Sequence, residues 1–256
     1  MTELSEREKA ALRYYIGDVS GDCPFGSDPK AYVTINSLFF SGTETERARA
    51  AEGKRLDADI LENTGRLTDF FALLFSAFRK CSAENDCCTF RVERWSDYEL
   101  CKAAGATLSF TSTSTAGFLS EYRDRLGIAL MRFILPQGTP CIDAAAALDY
   151  YAKPDEAEIL LPPFLTLSIT EKAVAESERS ILDSAGEPPR CSCEVVAGGI
   201  QPCTADTVRL PDGGAEAGKS VYTALNEGRQ PLCEDEELYS RWKQAYRMLL
   251  HRLFTE

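Results

Sequence analysis

The sequence predicts an α+β protein, with an N-terminal helical lobe packed on a mixed, mostly antiparallel two-sheet β core. Three observations carry this. Residues Glu3 to Tyr15 and Thr43 to Phe78 place apolar side chains at three- and four-residue spacings, with charges between them, as amphipathic helices do. From Cys87 the texture changes to short runs, several of which alternate with period two. The chain closes on one more helical pattern. Helices grouped first and strands grouped later are the signature of α+β rather than of alternating α/β.

Along the chain, Gly17 to Pro29 is rich in Gly, Asp and Pro and reads as a loop. Ala31 to Phe40 (AYVTINSLFF) is a short apolar run that fits a buried helix or a strand equally well. The strand candidates are Cys88–Trp95, Ala106–Phe110, Gly127–Ile134, Pro140–Asp143, Ala157–Leu161, Phe164–Ile169 and Arg190–Val196. After Gly198 the composition turns Gly-, Pro- and acid-rich. Asp235 to Phe254 then forms an amphipathic helix with Leu238, Trp242, Tyr246, Leu249 and Leu253 on one face. No internal repeat is visible.

Composition excludes several functions. The 256 residues carry 28 basic and 40 acidic side chains, a formal charge of −12. That balance disfavours tracking a nucleic-acid backbone or an anionic membrane surface. The longest strongly apolar stretch, Phe70 to Phe78, is far short of the roughly 20 residues that span a bilayer. The N-terminus is charged from its third residue and shows no apolar h-region, so no secretory signal is expected. Ten scattered cysteines without a Cys-x-x-Cys pair, and one histidine, argue against a structural metal site. Cys191 and Cys193 read as two small core residues on one strand face. The only histidine, His251, sits five residues from the C-terminus, a poor place for an oriented base. The chemistry is therefore expected to run on carboxylates, hydroxyls and arginines, without metal.

Three strand-linked features could carry such chemistry. Glu156-Ala157-Glu158 enters an aliphatic run and Pro162. In a strand its two carboxylates would share a face. Ser109 to Thr115 is a hydroxyl-rich strand end in which Ser112 and Ser114 share a face, with Phe110 beside them. Arg91 lies in a third strand, and a guanidinium is the preferred clamp for a diphosphate. A fourth pattern is a decoy. Gly213 to Ser220 satisfies the phosphate-loop pattern G-x-x-x-x-G-K-[ST], but it lacks a preceding buried strand and carries Glu216 inside the loop.

The order Phe90-Arg91, then Phe110-Thr111-Ser112-Thr113-Ser114, then Glu156-Ala157-Glu158-Ile159-Leu160-Leu161-Pro162 resembles the Arg–Ser–Glu signature of mono-ADP-ribosyltransferases. The branch in question includes cholera-toxin-like and actin-modifying toxins and arginine-specific ecto-enzymes. Ile35-Asn36 and the helices ahead of the arginine strand also look like that family's helical lobe. The resemblance covers roughly residues 10–197. Where the family usually has Gly after the arginine, this chain has Val92, which leaves Arg94 as the alternative clamp.

The resemblance implies an ADP-ribosyltransferase-like domain over 1–198 (helical lobe 1–86, β core 87–198) and a C-terminal extension over 199–256. It implies NAD as substrate, with nicotinamide released and ADP-ribose passed to an arginine of a target protein. Glu158 would bind the ribose hydroxyl and stabilise the oxocarbenium, Arg91 would hold the diphosphate, and Ser112 would position the ribose and Glu158. Glu156 would orient the acceptor guanidinium and take its proton. Thr113, Ser114, Phe118 and Arg123 are further NAD-binding candidates. Tyr150 and Tyr151, in the acceptor-recognition loop, either contact the target protein or pack the loop. An NAD glycohydrolase and a catalytically silent protein-binding module are the alternatives. The expected location is the cytoplasm of the producing cell, or the cytosol of a target cell reached by a non-classical route, as for a toxin or effector.

Overall fold

The computed structural model describes residues 3–18, 23–26, 28–117, 128–149, 151, 154–176, 178, 189–204 and 207–256. Two compact units divide the chain: Phe78–Gln201 forms the body of one, and Leu4–Ala77 with Pro202–Glu256 forms the other. The last segment, read from sequence as an extension, thus belongs to the same unit as the first helices.

That helical unit holds α1 (Glu6–Ile16), α2 (Ala31–Ser37), α3 (Glu44–Ala51), a 3-10 turn (Ala58–Leu61), most of α4 (Thr64–Lys80), α7 (Gly214–Asn226) and α8 (Cys233–Thr255). Ser5 and Glu8 start α1 with a capping box, each side chain bonding the other's backbone N–H. The ambiguous run at 31–40 is helical. Its Ala31, Val33, Ile35, Leu38 and Phe39 are all buried, so the helix is covered on more than one face. The core is aromatic. Phe71 meets Phe39, Phe70 and Tyr246 edge-on, and Phe75 stacks on Phe254 at 4.5 Å.

The decoy phosphate loop is the start of α7, not a connector. Its glycines are there for packing: a Cβ on Gly214 would lie 2.4 Å from Trp242, and one on Gly218 would lie 2.6 Å from the Tyr239 ring. Lys219 pairs with Glu62 and Ser220 donates to Asp235, so neither is arranged for phosphate.

Helix α8 buries Tyr239, Trp242, Lys243, Tyr246, Leu250 and Phe254. This stripe is rotated from the one expected through Leu238, Leu249 and Leu253, which are only half-buried. The reason is Lys243, whose ammonium lies fully buried 2.5 Å from Glu46. Tyr239, Tyr222 and Ser37 extend this contact into a chain of hydroxyls, and Lys243 returns to the Ser37 carbonyl. Burial pushes the Glu46 carboxyl up and the Lys243 amine down, each toward its neutral form, against their mutual attraction.

The other unit is built on β1 (Cys87–Arg94), β2 (Thr111–Ser114), β3 (Ile128–Leu135), β4 (Ile142–Asp143), β5 (Glu158–Leu161), β6 (Leu165–Lys172) and β7 (Cys191–Ile200), with α5 (Trp95–Ala104) and α6 (Ala144–Ala147). The strand order is β4-β5-β2-β1-β3-β7-β6, and every pairing is antiparallel except β3 with β7. The mixed, mostly antiparallel core is as expected. The two expected sheets, however, are hydrogen-bonded into one, joined between β1 and β2 at the single pair Phe90↔Ser114. Ala106–Phe110, expected as a strand, contributes one isolated bridge, Ala106↔Thr166; the strand proper begins at Thr111.

One face of this sheet carries the core cluster, which includes Ala129, Met131, Phe133, Ile159, Leu161, Cys193 and Val195. Cys191 and Cys193 share that face with sulfurs 3.4 Å apart. Burial, then the bond to Cys193, pushes the Cys191 thiol up to about 12, away from its reactive thiolate form. All ten cysteines are thiols, with no disulfide. Among the described residues, no helix is long and apolar enough to cross a membrane, and no cluster of three or more His, Cys, Asp or Glu side chains could hold a metal ion.

Candidate active site

β2 and β5 bring the hydroxyl strand and the glutamates together. Their register pairs Ser112 with Leu160, Thr113 with Ile159 and Ser114 with Glu158. Directly opposed residues of an antiparallel pair project from one face. Glu158 therefore shares its face with Ser114 and Ser112, as the motif order implies. Its carboxylate is 7% exposed and accepts a hydrogen bond from the Tyr151 hydroxyl at 2.7 Å.

Glu156 departs from expectation. A Glu-x-Glu within one strand would present both carboxylates on one face, but β5 begins at Glu158. Glu156 ends a 3-10 turn, Pro154–Glu156, and Ala157 between them has φ +44°. That left-handed residue breaks the alternation, so the two carboxylates are not strand neighbours. The strand holds this segment by its main chain: Ser114 donates to the Glu156 carbonyl at 2.6 Å, and the Thr115 N–H donates to the Ala157 carbonyl at 3.1 Å.

The other hydroxyls of the strand are structural in the same way. Thr113 is 3% exposed and donates to the Ile159 carbonyl at 2.8 Å. Ser114 is 1% exposed, and besides serving Glu156 it accepts from the Ala116 N–H. Ser112 is half-buried, on the Glu158 face.

The two arginines of β1 divide between faces. Phe90 pairs with Ser114, so Phe90, Val92 and Arg94 lie on the Glu158 face, and Arg91 and Glu93 lie on the other. The neighbouring pairing agrees, because Arg91 is opposite Met131 and Glu93 opposite Ala129, both members of the core cluster that contains Ile159. Arg91 is held there by two bonds, to Glu93 at 2.6 Å and to the Ser112 carbonyl at 2.7 Å. Helix α5 lies close by: burial, then the Glu93 carboxylate, pushes its Cys101 thiol up to about 12. Arg94 ends β1 and forms the N-cap residue of α5.

Tyr151 is 8% exposed, so its ring does not stand out toward a partner protein. It packs against the site and bonds Glu158. Phe118, Arg123 and Tyr150 lie outside the described residues. Two relationships escaped sequence reasoning, the Tyr151–Glu158 bond and the Ser114 bond to the Glu156 carbonyl. Neither has a sequence signal, because both depend on how the loop ahead of β5 folds back. The face of Arg94 was readable, since 90, 92 and 94 alternate.

No protein-family model matches this chain, and no curated protein does. Solved structures do. The enzymatic component C2-I of the C2-toxin from Clostridium botulinum superposes with TM-score 0.50 at 15% identity, over 78% of this chain and 45% of that one. An ADP-ribosylating toxin, BECa, of a C. perfringens binary enterotoxin gives 0.48 at 17% identity, over 77% and 44%. The Clostridium limosum C3 exoenzyme gives 0.46 at 16%, over 76% and 86%. This chain spans less than half the length of the first two. At such identities the likeness is one of fold alone, and it rests on the C2-I component, which reaches 0.50.

Proposed function

We propose that this chain is a mono-ADP-ribosyltransferase that takes NAD as substrate and transfers ADP-ribose to an arginine of a target protein. The observation that carries the reading is Glu158: a buried carboxylate at the start of β5, in register with the last serine of a Phe-x-Ser-Thr-Ser strand, on an ADP-ribosyltransferase-like fold. In the proposed reaction the bond between ribose C1 and the nicotinamide nitrogen breaks, and its electron pair neutralises the pyridinium. The ribose carbon becomes oxocarbenium-like, and a fixed carboxylate beside it lowers the barrier. A guanidine nitrogen of the acceptor then bonds to that carbon, and its proton passes to Glu156.

For the diphosphate, the face shared with Glu158 favours Arg94 over Arg91. Arg91 then has a different part: through the Ser112 carbonyl and Glu93 it stiffens the edge where β1 meets β2. Ser112 is the hydroxyl on the site face for the nicotinamide ribose. The acidic surface means that such a cation has to be supplied locally.

Incubation with labelled NAD and a cell lysate tests the reading. Labelled protein is expected, with the label on arginine by mass spectrometry. Absence of both labelling and nicotinamide release would overturn it. The position of Glu156 on the 3-10 turn, off the strand face of Glu158, favours one second reading, an NAD glycohydrolase. That enzyme would release nicotinamide without labelling protein, and Glu156→Gln would leave its rate intact.

A further inference from the structure

We infer that Tyr151 is the positioning residue of Glu158, a role that rests on the transferase reading above. The β5 backbone is fixed by its ladder, but a glutamate carries three side-chain torsions that the ladder does not control. Electrostatic stabilisation of a developing cation needs the carboxylate held before the reaction begins. The strand hydroxyl directly opposite Glu158, that of Ser114, is committed elsewhere, to the Glu156 carbonyl. Among the described residues, the side chain that donates to the Glu158 carboxylate is Tyr151, at 2.7 Å to Oε2.

The geometry suits a support rather than a reactant. Both residues are buried, at 8% and 7% exposure, so the bond is shielded from competing water. A hydroxyl on an ionised carboxylate is a strong, charge-assisted bond. It occupies Oε2 and leaves Oε1 for a ribose hydroxyl. A buried carboxylate without a donor would be costly, so the tyrosine also makes the burial of Glu158 tolerable. Tyr151 comes from the loop ahead of β5, seven residues before its partner. Tyr151, which the resemblance places in acceptor recognition, is thereby tied to the carboxylate.

The test uses the full chain, with nicotinamide release from NAD as readout. Tyr151→Phe keeps the ring and removes the hydroxyl. It is expected to lower kcat about tenfold or more, with KM for NAD within about twofold of wild type, as loss of positioning predicts. Combined with Glu158→Gln it should cost nothing further, because the hydroxyl acts through that carboxylate. Tyr151→Gln, which restores a donor, should retain more kcat than Tyr151→Leu. An active wild type with Tyr151→Phe unchanged in kcat overturns the positioning role and leaves the transferase reading standing. So does equal loss in Tyr151→Gln and Tyr151→Leu. A wild type that releases no nicotinamide overturns the transferase reading, and the positioning role with it.

Discussion

The Ser114 hydroxyl donates to the main-chain carbonyl of Glu156 at 2.6 Å, so the hydroxyl strand holds the first glutamate by its backbone. Ser114→Ala removes this bond and also the acceptor for the Ala116 N–H at 3.0 Å. Losing these part-buried bonds costs about 1 kcal/mol, to be read as a lower urea midpoint. If Glu156 receives the acceptor's proton, transfer to an arginine peptide should fall more than hydrolysis. The ratio of labelled peptide to free ADP-ribose measures it.

The two β1 arginines should separate cleanly. Arg94→Gln is expected to raise KM for NAD about tenfold, the order of one charge-assisted contact. Arg91→Gln loses the bonds to Glu93 and the Ser112 carbonyl and leaves a carboxylate that is 9% exposed without its guanidinium. It should lower stability by about 1–3 kcal/mol. The reverse pattern, with Arg91→Gln altering KM alone, would assign the diphosphate to Arg91.

Ala157 adopts φ +44°, where a Cβ crowds the following carbonyl. Ala157→Gly should relieve that strain and raise stability by about 1 kcal/mol. It should also loosen the link between Glu156 and Glu158. The expected outcome is a higher denaturant midpoint together with slower transfer, measured on the same preparation.

The fully buried Lys243–Glu46 pair is predicted to be asymmetric under substitution. Lys243→Met alone leaves a buried carboxylate and should cost about 3–5 kcal/mol, whereas Lys243→Met with Glu46→Leu should recover much of that. Urea unfolding of the two single variants and the double variant gives the coupling directly.

The α7 glycines give a contrast within one motif. Gly218→Ala would drive a methyl to 2.6 Å from the Tyr239 ring and should destabilise measurably. Lys219→Ala removes a surface ion pair with Glu62 and should change neither stability nor ATP binding, which calorimetry should find absent in the wild type as well.

Much of the fold was legible because its signals are local. The apolar spacing of Glu3 to Tyr15, the alternation of 88–94 and the aliphatic run after Glu158 each report their own element. The stripe of α8 differs from the expected one because it includes Lys243, whose burial is tolerable through Glu46, 197 residues away. Helix α7 was missed because its glycines read as loop, whereas they admit Trp242 and Tyr239.

For the site, the sequence by itself determined the ordered set of Arg, Ser-Thr-Ser and Glu-x-Glu, and the alternation that puts Ser112 and Ser114 on one strand face. Tertiary structure decided where its members lie. It placed Glu158 opposite Ser114, moved Glu156 off the strand through a left-handed Ala157, turned Arg91 to the core face and Arg94 to the Glu158 face, and brought Tyr151 onto the carboxylate. The physical reason is one of range. Periodicity and caps act within a few residues, whereas register, face and hydrogen-bond partner are properties of strand pairs distant along the chain, and only the folded sheet brings those together.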